Sequence, residues 1–135
     1  MMNLAELRDF ATRYAAAWCS QNAASVAAFY EEKGSLQINA GPPSVGRAAI
    51  TAAAQSFMTA FPDMIVSMDE VSELEGGAVF RWTLVGTNTG PEGTGSGVRI
   101  SGYEEWRFGE NGLVGESKGH FNQADWQRQL SGKMS

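Results

Sequence analysis

Up to Phe61 the apolar side chains of this chain recur at helical spacing, and from Met64 onward they alternate. A 3.6-residue period buries one stripe of a helix and a two-residue period buries one face of a strand, so the change calls for a helical part followed by a sheet part. Residue usage divides at the same place. Sixteen alanines lie within the first 60 residues and two beyond, whereas thirteen of the 16 glycines follow residue 75. Ala is the strongest helix former, and Gly marks turns, bulges and strand ends. A chain of 135 residues has the length of a single domain, expected to span 1–135.

Asn3 followed by Glu6 predicts a capping box ahead of a first helix that carries Leu4, Leu7, Ala11, Tyr14 and Trp18 and ends near Ser20. A second helix is expected from Asn22 to a stop at Gly34, with Val26, Phe29 and Tyr30 on its apolar stripe. Residues 35–39 read as a short strand, and Gly41-Pro42-Pro43 interrupts regular structure. A third helix from about Gly46 then carries Ile50, Ala54, Phe57 and Phe61 on one face, with Pro62 as its terminator. Residues 64–74 and 78–88 are expected strands joined through Gly76-Gly77, and 98–108 and 113–121 form another hairpin across Glu110-Asn111-Gly112. Residues 123–131 add a closing helical turn or two. The economical architecture is α+β, with three N-terminal helices on one side of a strongly curved, mostly antiparallel sheet.

The last hairpin can be assigned a register. With Gly112 as the left-handed residue of a three-residue loop, Gly109 faces Leu113 and Phe108 faces Val114. Continued along both strands, Trp106 faces Glu116, Glu104 faces Lys118, Gly102 faces His120 and Ile100 faces Asn122. One sheet face then carries Glu104, Trp106, Lys118, His120 and Asn122 together.

Several function classes are excluded as expectations. The formal net charge is -5, all of it carried after residue 60, so no basic face is available for nucleic acid or an anionic membrane surface. No apolar stretch approaches the roughly 20 residues of a membrane-spanning helix, and the first residues lack a secretory pattern. Cys19 has no partner for an internal disulfide, which fits a reducing cytoplasm, and with His120 as the single histidine no structural metal site is expected. The glycine-rich stretch Gly90-Pro91-Glu92-Gly93-Thr94-Gly95-Ser96-Gly97 precedes a strand rather than a helix, so it reads as a strand connection and not a phosphate cradle. No cofactor is expected.

Three segments carry a family resemblance: Phe61-Pro62-Asp63-Met64, the run from Phe80-Arg81-Trp82 through Gly86-Thr87-Asn88-Thr89-Gly90-Pro91, and Gly102-Tyr103-Glu104-Glu105-Trp106-Arg107-Phe108. With Trp18 and Gln129-Leu130, they make the chain resemble the SnoaL-like polyketide cyclases of the nuclear transport factor two-like superfamily, over residues 10 to 132. The resemblance implies an α+β cone with an apolar pocket, cofactor-free proton transfer of cyclase or isomerase type, and a homodimer formed through the outer sheet face. It also implies an acid/base Asp at the end of the last long strand and a histidine in the Gly-Thr-x-Thr-Gly pattern. Here Asn122 and Asn88 stand at those places, and an amide exchanges no proton near neutral pH.

The candidate site follows. His120 is the one side chain with an ordinary pKa close to neutrality, which makes it the candidate acid/base, with Asn122 polarising a carbonyl or enolate oxygen. The alternative is a solvated strand-end histidine beside an Asn122 that caps the final helix. Tyr14, Trp18, Phe57, Phe61, Trp82 and Trp106 supply core and apolar wall, and Asn88, Glu104 and Lys118 supply polar contacts, with Glu104 and Lys118 read as a cross-strand ion pair. Two classes remain open: an acid/base enzyme acting on a polyketide-like or cyclic carbonyl compound, or a non-catalytic module binding a small hydrophobic organic molecule.

Overall fold

The computed structural model describes residues 2–132; residue 1 and residues 133–135 of the expected 1–135 span lie outside the described part. In chain order the elements are α1 (Leu4–Cys19), α2 (Ala23–Ala27), β1 (Tyr30–Ile38), β2 (Ser44–Val45), α3 (Arg47–Ala60), β3 (Ile65–Leu74), β4 (Gly77–Thr87), β5 (Gly97–Phe108), β6 (Val114–His120) and α4 (Gln123–Leu130). The strands form one sheet in the order β2-β1-β6-β5-β4-β3. Every neighbouring pair is antiparallel except β1 and β6. The architecture is therefore α+β, with N-terminal helices on a mixed, mostly antiparallel sheet. No helix among the described residues is long and apolar enough to cross a membrane.

Local chemistry explains the helical part. Asn3 Oδ1 accepts from the Glu6 amide at 2.8 Å and Glu6 Oε1 accepts from the Asn3 amide at 3.1 Å, a reciprocal cap that starts α1. The helix buries Leu7, Phe10, Ala11, Tyr14 and Trp18. Phe10 and Tyr14 meet the Trp106 ring of β5 edge-on, with centroids 5.5 and 5.1 Å apart. α2 is shorter than the pattern suggests. It ends at Ala27, and Tyr30 opens β1 opposite Val114 of β6. Val26, Phe29 and Tyr30 fit a helical stripe, but a short apolar run serves a helix end and a strand start equally well. Here the fully buried Tyr30 hydroxyl, 2.8 Å from that of Tyr14, is satisfied by strand placement.

The hairpin between β5 and β6 begins as expected. Gly112 has φ 77°, the Gly109 amide donates to the Leu113 carbonyl at 2.8 Å, and Phe108 pairs with Val114. The register then shifts: Arg107 pairs with Glu116, so Gly115 is an extra residue on β6. This bulge carries each later β6 side chain to the opposite face from the one expected. Trp106 faces Ser117, Glu105 faces Lys118, Glu104 faces Gly119 and Tyr103 faces His120. The expected Glu104–Lys118 pair is therefore absent, with Lys118 exposed on the outer face and Glu104 buried on the inner one.

Gly102 pairs with Trp82 across β4 and β5. A Cβ at this position would lie 2.6 Å from Trp82 Cζ2 and would also run into the His120 carbonyl oxygen. Gly102→Ala is expected to lower stability by about 1–3 kcal/mol through overpacking. The measurement is urea unfolding, where the midpoint falls with the slope unchanged.

Candidate functional site

The helices close over the inner face of the sheet around a cavity of about 60 Å³. Trp18 of α1, Phe57 of α3, Phe80 and Trp82 of β4, Phe121 just after β6 and Trp126 of α4 form most of its wall, with Leu36, Ile38, Val66, Leu84 and Ile100. The single charged residue among the lining groups is Glu104. Its pairing position on β6 is Gly119, which carries no side chain.

Glu104 is 7 % exposed and gathers donors from four elements. Onto Oε1, Ser117 Oγ of β6 donates at 2.6 Å, Trp106 Nε1 of β5 at 2.9 Å and Tyr14 Oη of α1 at 3.0 Å, with Tyr30 Oη of β1 more distant at 3.5 Å. Oε2 receives only the longer arm of the shared Tyr14 hydroxyl, at 3.3 Å. A carboxylate has about four lone-pair sites, so Oε1 is filled and Oε2 is open. The recorded partners of Glu104 are hydroxyls and an indole N–H, not a cation.

Burial pushes the Glu104 carboxyl above its ordinary value, against the opposing pull of the bonds from Ser117, Trp106, Tyr14 and Tyr30. Burial, and then the negative charge of Glu104, raises Tyr14 and Tyr30 well above the usual phenol value, so both remain donors throughout the neutral range.

The other sequence-derived candidates divide by place. Trp18, Phe57, Trp82 and Glu104 line the cavity. Tyr14 and Trp106 stand behind Glu104 as its donors, and Trp106 stacks on Phe80 at 4.9 Å. Phe61 is buried against Trp126, with centroids 5.4 Å apart. Asn88 organises its loop, with Nδ2 donating to the Ala60 carbonyl at 3.2 Å and Oδ1 accepting from the Thr94 amide at 2.9 Å.

His120 and Asn122 do not converge on the cavity. The Gly115 bulge places His120 on the outer face, with Nε2 2.8 Å from Glu105 Oε1, its ring 4.8 Å from that of Tyr103 and its side chain 38 % exposed. Asn122 is exposed, and its Oδ1 caps α4 by accepting from the Asp125 amide at 2.8 Å. Among the described residues no group of three or more His, Cys, Asp or Glu side chains is placed to hold a metal ion. The sequence reading named Tyr14 and Trp106 as site residues but missed the other two donors. Ser117 and Tyr30 had no motif to mark them, and only the shifted register brings Ser117 inside.

The SnoaL-like domain family matches residues 11–116. The chain belongs to the SnoaL-like family. No functionally curated protein matches its sequence. Among solved structures, it is similar to a hypothetical protein with a ketosteroid isomerase-like fold from Catenulispora acidiphila, in complex with trimethylamine (TM-score 0.80, 12% identity, 94% of this chain and 98% of that one). It is also similar to a candidate SnoaL-like polyketide cyclase from Jannaschia sp. CCS1 (TM-score 0.74, 13% identity, 93% and 94%). An NTF2-like protein of unknown function from Burkholderia pseudomallei gives a TM-score of 0.78 at 19% identity, over 92% and 96% of the two chains. At these identities the likeness establishes the fold of this SnoaL-like chain and leaves its chemistry to its own residues.

The raised Glu104 pKa has a consequence for stability. Because the folded state holds this proton more tightly than the unfolded state, the contribution is fully present below the ordinary carboxylate value and is lost as pH rises through the folded value. Glu104→Gln is expected to flatten that decline. Urea midpoints measured from pH 4 to pH 8 for both proteins provide the check, and parallel curves would refute it.

Proposed function

We propose that this chain is a cofactor-free proton-transfer enzyme of the isomerase or cyclase type, acting on a small carbonyl compound, with Glu104 as the group that takes and returns the proton. The observation that carries this reading is the half-filled carboxyl group. Oε1 is anchored by three hydrogen bonds, Oε2 receives only the longer arm of the Tyr14 hydroxyl, and the residue lines an apolar cavity. A general base needs a fixed position, a free lone pair and a pKa lifted toward the working pH, and burial supplies the last of these. The SnoaL-like family assignment and the likeness to a candidate polyketide cyclase support this class of chemistry.

Cavity size bears on the substrate. At about 60 Å³ it is smaller than the roughly 150 Å³ engineered cavity that accepts benzene, so in the closed arrangement it suits a compound of a few heavy atoms. A fused polyketide ring system would require displacement of Trp126 and α4. A second reading has an observation of its own: the Catenulispora protein was solved with trimethylamine, and aromatic walls around a carboxylate suit a small ammonium ion held without turnover.

Solvent-deuterium exchange into the α-carbons of 2-butanone, followed by proton NMR, tests the enzymatic reading. The expected outcome is exchange above the buffer rate that rises with pH through a value above 4.5, the ordinary value for Glu104. Glu104→Gln should lower the exchange by about 100-fold or more, and His120→Ala should leave it unchanged. Exchange that survives in Glu104→Gln and vanishes in His120→Ala would return the role to the histidine. Tight trimethylammonium binding with no exchange would support the second reading.

A further inference from the structure

Among the described residues, one buried side-chain polar atom lacks a partner: the indole nitrogen of Trp82. Trp82 is 9 % exposed and forms part of the wall of the cavity that Glu104 also lines. No protein acceptor lies within hydrogen-bond reach of this nitrogen. The benzo edge rests on Gly102, and the Phe121 ring meets the indole edge-on with centroids 5.9 Å apart. Trp106 provides the contrast, since its indole N–H is spent on Glu104 at 2.9 Å. A buried indole N–H ordinarily finds an acceptor, so an unpaired one in a cavity wall marks a position that a bound molecule can satisfy. The group donates and never accepts, and it therefore favours an oxygen lone pair and disfavours an ammonium ion.

We infer that Trp82 Nε1–H is the donor that holds the carbonyl oxygen of the cavity's ligand, making the site selective for uncharged carbonyl compounds over hydrocarbons of the same shape and over protonated amines. The inference rests on the reading of Glu104 as the proton-transfer group. In the step it serves, Glu104 Oε2 takes a proton from the carbon next to the carbonyl. The electron pair of that C–H bond forms the enolate double bond, and the carbonyl π pair moves onto the oxygen facing Trp82. The proton then returns from Oε2 to carbon, and the carboxylate is restored. A donor fixed beforehand where this charge develops lowers the barrier, because it needs no reorganisation during the step.

The test uses the full-length protein, labelled with nitrogen-15, and two ligands of one shape: 2-butanone, and 2-methyl-1-butene, in which a CH2 group replaces the oxygen. The Trp82 indole signal, assigned by its loss in Trp82→Phe, is expected to move downfield with 2-butanone and not with the alkene. In Trp82→Phe, 2-butanone should bind about fivefold more weakly, the effect of one neutral hydrogen bond, while alkene affinity is unchanged. An unmoved Trp82 signal, equal weakening for both compounds, or no binding of 2-butanone at all would overturn the inference. The wild-type titration decides the matter even if Trp82→Phe folds poorly. Glu104→Gln separates the two readings: a Trp82 signal that still responds to 2-butanone, with exchange undiminished, removes the role of Glu104 and leaves that of Trp82.

Discussion

A carboxyl group buried without a cation is the constraint around which the inner half of this molecule is arranged. Glu104 draws Tyr14 from α1, Tyr30 from β1, Trp106 from its own strand and Ser117 from β6 to one point. Each contact fixes the distance between elements that are far apart in sequence, so the acid acts as a positional reference for helix and sheet alike. Such a centre is costly to build, because desolvation works against the ionised form and every donor drawn inward must also be satisfied. An apolar side chain of similar volume would avoid that cost. Keeping an acid there, in the wall of a cavity and with one oxygen anchored and the other sparsely bonded, favours chemistry over packing as the reason for the arrangement.

The same residue shows how much of the molecule was legible in the sequence. The change of period near residue 62 separates the helices from the long strands, and Gly112 identifies the loop that joins β5 to β6. Phe108 and Val114 pair as the turn chemistry requires. One residue later the reading fails, because Gly115 inserts into β6 and reverses its faces. A glycine within a strand pattern is the ordinary sign of a bulge, so the signal was present. What the sequence does not display is the cause, which is long-range. β1 is irregular between Tyr30 and Ser35 at the same level, and a Cβ on Gly115 would lie 2.7 Å from Glu31 Oε1. Without the bulge, the register would match Glu104 to Lys118 and turn His120 inward.

The two amides at the places where the family resemblance implies titratable groups take on structural work here. Asn122 begins α4, and Asn88 holds the loop beyond β4 against the end of α3. The buried acid that lines the cavity stands instead in the middle of β5. The geometry explains how an acid at this position is compatible with the fold. Inward positions on adjacent strands stand side by side, and Gly119 on β6 leaves the space beside Glu104 unfilled. A carboxyl group can therefore serve the same cavity from the neighbouring strand, provided that its partner position carries no side chain.

One wall of the cavity comes from α4. Its hydrogen bonds to the rest of the chain run through side chains: Gln129 Oε1 accepts from the Arg99 amide at 2.7 Å, Gln129 Nε2 donates to the Arg99 carbonyl at 3.0 Å, and Asn39 Nδ2 donates to Gln123 Oε1 at 2.9 Å. Trp126 supplies the apolar part, seated among Phe57, Phe61 and Phe121. An element fastened by two glutamines and one indole opens at lower free energy than a strand held by a backbone ladder. Movement of α4 would thus admit a molecule without requiring the sheet that positions Glu104 and Trp82 to deform, and an apolar wall strengthens every electrostatic contact beside it.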